Sequence, residues 1–365
     1  MKKVVFLRNK LYRPSSYYRV YQYIEGINDK DLTLSEYESD IYYKLNKTNN
    51  QILRFINKMI FMLFYGYARR IFILIKLYIS KDKSIILVQR VIFPKYIGGL
   101  GKLMIKSIIN NAKEVYWEFD DNILESKEIT NFEKKLLLEK SNKIIVGNKF
   151  LKECLPKEFH KKIDVVNTTD KMFLNYDFNK ANIIRINEFK SKFNIVWLGT
   201  DSNLKFLENI IEDLDRIALM SEKIINLKVI CNTKLKVKTK GINIINIMWE
   251  RERSINELIN CHLGVMPLEE NNYTLGKCSF KAIQYMGAGI PIAISPVGMN
   301  KEIVEVEKNG IFIEDTEFFE EFMYKLISDL EYWIELSKNS RLVWEERFNS
   351  YIAEKNIKKL LKLNN

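Results

Sequence analysis

GVMPLEENNYTLGKCSFKAIQYMGAGIPIAISPVGMNKEIVE, residues 264–305, runs without slack through a short apolar stretch, a polar loop, a helical pattern from about Ser279 and a Gly-Ile-Pro entry into a second apolar stretch. That order reads as strand, loop, helix and strand, the repeating unit of a parallel sheet with helices on its faces. Ser279 is the expected N-cap, and Gly287 and Gly289 the expected end of the helix. A helix start exposes unpaired N–H groups and about half a positive charge, so it attracts phosphate. Lys277, Lys281 and Gln284 lie four and three residues apart, on one face if the turn already includes Lys277. Two ammonium groups and an amide able to bond sugar hydroxyls suit a nucleoside diphosphate. Spacing alone also allows an ordinary solvated face.

Outward from this segment the same alternation fills the chain. Strands are expected at Val4–Leu7, Ser84–Val88, Glu114–Phe119, Lys143–Val146 and Asp164–Val166, with another near Leu32–Leu34. A second series comprises Phe193–Leu198, Leu227–Ile230, Ile242–Ile245, Leu263–Met266, Pro291–Ile294 and Ile311–Ile313. The fold class is therefore α/β, with two doubly wound Rossmann-like domains. The first domain is expected over 1–175 and the second over 191–345. Residues 176–190 lack the hydrophobic spacing of their neighbours and read as a linker, and a helix over 346–365 can return to the first domain. Phe319, Phe322, Leu326 and Leu330 have helical spacing. Ligands in open parallel sheets sit beyond the carboxyl ends of the strands. Those ends carry Arg8–Asn9, Arg90, Asp120–Asp121, Gly199–Thr200, Pro267 and Ser295–Pro296, and two facing sheets would enclose one cleft lined by them.

The chain has 365 residues, 47% hydrophobic and 28% charged, with 21 Phe, 19 Tyr and 5 Trp, enough apolar surface to exclude a disordered or fibrous protein. Cys154, Cys231, Cys261 and Cys278 form no CxxC, which argues against zinc ribbons and disulfide frameworks and for a reducing cytosol. His160 and His262 are too few for a histidine-centred site, so chemistry must rest on Lys, Arg, Asp, Glu and backbone groups. The formal charge of +12 admits a phosphate-rich partner, nucleic acid or an anionic membrane, and part of it also follows from a lysine-rich composition. MKKVVFLRNK reads as a first strand rather than a signal peptide. The longest apolar stretch, residues 59–79, is interrupted by Arg69, Arg70 and Lys76 and falls short of the ~18 uncharged residues that span a bilayer.

Gly276–Cys278, Phe280–Lys281, Gln284–Met286, Gly289, Pro291, Ser295–Gly298, Asn300 and Ile303–Val304 follow the pattern GKCxFKxxQYMxxGxPxxxSPVGxNxxIV. In this the segment resembles the donor-binding region of retaining glycosyltransferases of family 4, in a bacterial subgroup. SSYYRVYQYI (15–24), FDD (119–121), VGNKFL (146–151), VWLGTDSNLKFL (196–207) and GVMPL (264–268) extend the likeness over most of the chain. The resemblance implies a GT-B fold, a nucleotide-sugar donor held mainly by the second domain, an acceptor held by the first, and no cofactor or metal. It sets Gly199, Thr200 and Pro267 beside the donor, Lys277 and Lys281 at the phosphates, Ser279 and Phe280 on backbone approaching them, and Gln284 at the ribose. Lys205 is an approximate counterpart of a family lysine. Two glutamates common in the family are replaced by Gly276 and Gln284, and His262 stands where the subgroup often has aspartate.

Asp120 and Asp121 follow a strand and can form a turn, cap a helix or imitate a metal pair; the resemblance sets them at the acceptor or transferred sugar. Arg19 and Arg90 are candidates for acceptor phosphate or for ordinary ion pairs. Trp249 borders the nucleotide base by resemblance, or belongs to the core. Residues 51–83 hold seven Lys or Arg and one Asp among Ile, Phe, Leu, Met and Tyr, as a helix lying on anionic lipid requires, and also as a helix packed on the first sheet requires. The expectation is a cytoplasmic glycosyltransferase, peripheral on the inner membrane face, that moves a sugar to a glycan or lipid-linked acceptor in surface polysaccharide synthesis and binds no nucleic acid. Lys277, Lys281, Asp120 and Asp121 are its expected catalytic groups. A nonhydrolysing sugar-nucleotide epimerase and an inactive membrane-associated binding protein are the alternatives.

Overall fold

Runs such as VVFL and IILV are apolar at every position because both faces of a parallel sheet are covered. A computed structural model describes residues 1–45, 50–80, 83–93, 98–126 and 128–363. Among them two six-stranded, all-parallel sheets form, each flanked by helices, and the chain divides into two units.

The first unit comprises residues 1–168 and the segment from Tyr351 onward. Its strands are β1 (Lys3–Leu7), β2 (Leu32–Glu36), β3 (Ile85–Gln89), β4 (Glu114–Phe119), β5 (Lys143–Val146) and β6 (Ile163–Val165), in the order β2-β1-β3-β4-β5-β6. Val4 lies opposite Thr33 on one side and Ile86 on the other. The C-terminal helix Tyr351–Leu360 buries Ala353, Ile357 and Leu360 against Val5, Leu7, Val20, Tyr23 and Leu87, and so covers one face of this sheet.

The second unit, residues 169–350, contains β7 (Lys192–Leu198), β8 (Ile224–Cys231), β9 (Asn243–Met248), β10 (Leu263–Met266), β11 (Ile292–Ile294) and β12 (Gly310–Phe312), in the order β12-β11-β10-β7-β8-β9. Its core joins Phe193, Ile195 and Trp197 of β7 to Leu214 and Ile217 of the helix Ile211–Leu219. Phe319, Phe322 and Leu326 add the helix Thr316–Ser328 to that core, which ends where Asp329 caps the next helix, Leu330–Val343.

Residues 178–189, read from sequence as linker, form a helix of the second unit. Its buried stripe is Ala181, Arg185 and Phe189, with Asn182 beside it. Two of those four residues are polar, which hid the amphipathic pattern. Arg185 tolerates burial by donating to Ala288 O at 2.9 Å and packing its guanidinium over Trp333 at 5.6 Å.

Candidate functional site

The crevice of a doubly wound sheet opens at the carboxyl ends of the strands where their order reverses. In the second unit that point lies between β7 and β10. β7 runs out into Gly199–Thr200, where the chain folds closely over Trp197: a Cβ on Gly199 would come 2.1 Å from Cη2 of that indole, so the approach requires glycine. Lys281, in the first turn of the helix Phe280–Gly287, places its Nζ 5.4 Å from the centre of the same indole. Lys277 Nζ lies 4.8 Å over the Tyr273 ring and donates to Asn203 Oδ1 at 3.3 Å, and Asn203 Nδ2 donates to Thr200 Oγ1 at 3.0 Å. The loop after β7 and the approach to the helix are thereby tied together, with both ammonium groups among them.

Burial pushes the Lys281 ammonium down to about 7, the positive charge of Lys277 acts in the same direction, and the Cys231 thiol opposes it. Among the described residues no carboxylate pairs with Lys281. An anion arriving here would favour the protonated form and raise that value again. The surroundings are thus short of negative charge, beside a helix start that is itself positive.

Ser279 occupies the N-cap position but does not cap. Its backbone is left-handed at φ 47°, and its hydroxyl donates to Asn300 Oδ1 at 2.6 Å, while Asn300 Nδ2 donates to Ser295 O at 2.7 Å. Asn300 therefore links the end of β11 to the start of the helix, and the Ser279 side chain does not cap the first turn. Phe280 is half-buried at the first helical position.

Gln284 is buried, and its Nε2 donates to Asp170 Oδ2 at 2.9 Å, which turns the amide inward. A glutamate there would set two carboxylates within hydrogen-bond reach, a physical reason for the amide at this position. Lys205 stands exposed, its ammonium over the Phe206 ring at 4.8 Å. Pro267 lines a cavity of about 240 Å³ with Asp213, Glu314 and Asp315, whose carboxylates disfavour a diphosphate. Trp249 is half-buried between β9 and the helix Arg251–Leu258, outside the core built on β7. His262 is fully buried among Phe189, Phe193 and Trp333; Nδ1 accepts from Asn194 N at 3.0 Å and Nε2–H donates to Arg185 O at 3.1 Å. Burial lowers its pKa to about 3, so this neutral ring is a core group.

The first unit reverses strand order between β1 and β3, whose ends carry Arg8 and Arg90. Arg90 has φ 68°, a strained value for a residue with a side chain, and all three nitrogens of its guanidinium donate to carboxylates. Nε and Nη2 donate to the two oxygens of Glu128 at 3.0 and 2.9 Å, and Nη1 reaches Asp120 at 3.3 Å and Asp121 at 2.6 Å. Arg8 Nη2 donates to Glu38 Oε1 at 2.8 Å and Nη1 to Glu128 at 3.4 Å, while Arg13 Nε donates to Glu38 Oε2 at 2.6 Å. Burial, with the charge of Asp121, raises the Asp120 carboxyl to about 7, against the pull of Arg90. Asp121, at 42% side-chain exposure against 13% for Asp120, is the more open of the pair.

Sequence reasoning thus found Arg90, Asp120 and Asp121, which the structure brings together. It missed Glu38, Glu128 and Arg13. Glu38 follows β2, the least distinct strand in the sequence, so no clear apolar run marks the strand end that carries it. Arg19 acts on Asp120 through its charge: it is buried, with Nε donating to Glu118 Oε1 at 2.6 Å and Nη1 to Val166 O and Thr168 Oγ1.

No protein-family model matches the chain, and no curated protein matches it. Solved structures share its fold across nearly the whole length. HepE of Anabaena, crystallised with UDP, superposes with a TM-score of 0.62 at 10% identity, covering 99% of this chain and 100% of that one. A glycosyltransferase from Rickettsia africae gives 0.61 at 11% identity, covering 100% and 99%. Sucrose-phosphate synthase from Thermosynechococcus elongatus gives 0.63 at 12%, covering 99% and 98%. At these identities the likeness establishes architecture: two Rossmann-like domains of the GT-B type.

Proposed function

We propose that this chain is a retaining, metal-independent glycosyltransferase of the cytoplasm that transfers a sugar from a nucleoside diphosphate sugar to a glycan or lipid-linked acceptor of a bacterial surface polysaccharide. The observation that carries the reading is Lys281: a half-buried cation without a carboxylate partner, at a helix start beside the strand-order reversal of a GT-B second domain. A pyrophosphate supplies the missing charge. The HepE structures with UDP and UDP-glucose support the choice of a nucleotide sugar.

In the proposed reaction the anomeric C–O bond breaks and its electron pair passes to the diphosphate. Lys277, Lys281 and the positive end of the helix Phe280–Gly287 stabilise the charge that develops there, as fixed charges aimed at a transition-state oxyanion do. The acceptor hydroxyl attacks from the same face and gives its proton to the departing phosphate oxygen, which retains configuration without a protein nucleophile. Asp120 and Asp121, held by Arg90, are assigned to the acceptor or the transferred sugar.

Calorimetric titration with UDP, GDP and ADP, and with their common sugars, tests the reading. Binding of at least one, weakened in Lys281→Ala, is expected. Failure to bind any nucleoside diphosphate sinks it, and sugar inversion without an acceptor assigns the chain to the epimerases.

A further inference from the structure

The charge of +12 is not spread along the chain. Residues 41–113 hold fourteen Lys or Arg and a single acid, Asp82, while the other 292 residues hold 44 basic and 45 acidic groups. A lysine-rich composition would distribute its excess evenly, so the charge belongs to a place.

The same stretch exposes large apolar side chains. Gln51–Asn57, Lys58–Phe64 and Tyr65–Ile79 follow one another as helical segments, the middle one wound with π geometry. In Tyr65–Ile79 one narrow stripe is buried: Gly66, Arg70 and Leu74. Gly66 lets the helix approach the chain beyond β2, since a Cβ there would lie 1.6 Å from Tyr37 O. Arg70 donates to Leu7 O at 2.6 Å, Ser35 O at 2.7 Å and Ile92 O at 2.6 Å, pinning the helix across the strand ends. Arg70, with buried Gly66 and Leu74 and the Tyr67 ring against Phe93, holds the element, and most of its other large apolar side chains are left outside that packing. Ile52 is 71% exposed, Phe64 79%, Phe72 68% and Ile79 71%, and Leu100 is 76% exposed on the adjoining helix Gly98–Asn111. Exposed Arg54, Lys58, Arg69, Lys76 and Lys102 lie among them.

We propose that this face docks on an anionic lipid bilayer, its aliphatic and aromatic side chains entering the headgroup and upper acyl region and its cations meeting lipid phosphate. No helix among the described residues is long and apolar enough to cross a membrane, so the contact is with the surface. Charge selects this occupant. Two copies of so basic a face repel each other, and although Phe64 and Phe72 could stack on bases, they stand among exposed aliphatic side chains, Ile52, Ile79 and Leu100, which acyl chains bury and nucleic acid does not. The docking stands independently of whether the second unit binds a nucleotide sugar.

Flotation of the full chain with vesicles tests it, using phosphatidylcholine alone and phosphatidylcholine mixed with phosphatidylglycerol. Binding to the mixed vesicles only is expected, weakening with added salt and falling about fivefold for each cation removed in Arg54→Gln and Lys76→Gln. Phe64→Ser with Phe72→Ser abolishes binding while the melting temperature stays that of the wild type, because both rings stand in solvent. Equal binding to both vesicle types, binding to neither, or full binding by the folded double variant overturns the proposal. Displacement by oligonucleotides, or a concentration-dependent dimer that shields these residues, assigns the face to another partner and overturns it as well.

Discussion

The two strand-order reversals of this protein occupy equivalent places in their sheets and are built with opposite electrostatics. At β1 and β3, Arg8, Arg13 and Arg90 meet Glu38, Glu128, Asp120 and Asp121, so each guanidinium already has a carboxylate. At β7 and β10, Lys281 has an indole and a second ammonium for neighbours. The first reversal is neutralised from within, and its charges are spent on holding Asp120 and Asp121 in position. The second leaves Lys281 without a carboxylate among the described residues, a condition that favours an incoming anion. Equivalent topology thus says where a ligand can sit, and charge balance says what kind.

The largest effect on stability is expected at the neutralised reversal. Glu38→Ala leaves Arg8 and Arg13 without their shared, buried partner and costs about 3–5 kcal/mol, read as a drop in the urea midpoint. A loss within ordinary surface scatter would break the contrast. Lys281→Ala removes a donor from the other reversal and lowers turnover by ~2.7–4 kcal/mol, about a hundredfold to a thousandfold. Unchanged turnover at saturating donor removes Lys281 from the mechanism.

The pH dependence of stability sharpens the difference. The folded state depresses Lys281 to about 7, below its unfolded value, so at pH above that the unfolded chain retains a proton that the folded chain has lost. This group therefore makes stability rise as pH increases from about 7 toward ordinary lysine pKa values near 10.4. The wild type should gain stability relative to Lys281→Met across that window, and a flat difference would show that the ammonium is solvated. Donor affinity should move the other way, falling as pH rises above 7, because the diphosphate binds the charged form. The smallest effect is expected at Gln284. Gln284→Ala loses one hydrogen bond to Asp170 and about 1 kcal/mol of stability, with donor KM unchanged; a raised KM would place the amide on the ribose instead.

Much of the framework was legible before any coordinates. All twelve expected strands are present, most within a residue or two at each end, because a buried parallel strand announces itself as an unbroken apolar run. The helix at 178–189 was not legible, since Arg185 and Asn182 break its stripe and become acceptable inside only through partners far along the chain. Gly199, Lys277 and Lys281, expected together from strand ends and the resemblance, do lie around the second strand-order reversal. The commitment of Gln284 to Asp170, of Ser279 to Asn300 and of Arg19 to Glu118 was not expected.

By itself, then, the sequence determined the two parallel sheets, the strand ends where chemistry gathers, and the concentration of positive charge in residues 41–113. Tertiary structure alone decided which charges cancel: Arg8 meets Glu128 across 120 residues, Lys277 meets Asn203 across 74, and Lys281 meets no carboxylate among the described residues. Apolar periodicity is written within a few neighbouring residues. An ion pair forms, or fails to form, through the separation of groups that only the completed fold brings near one another.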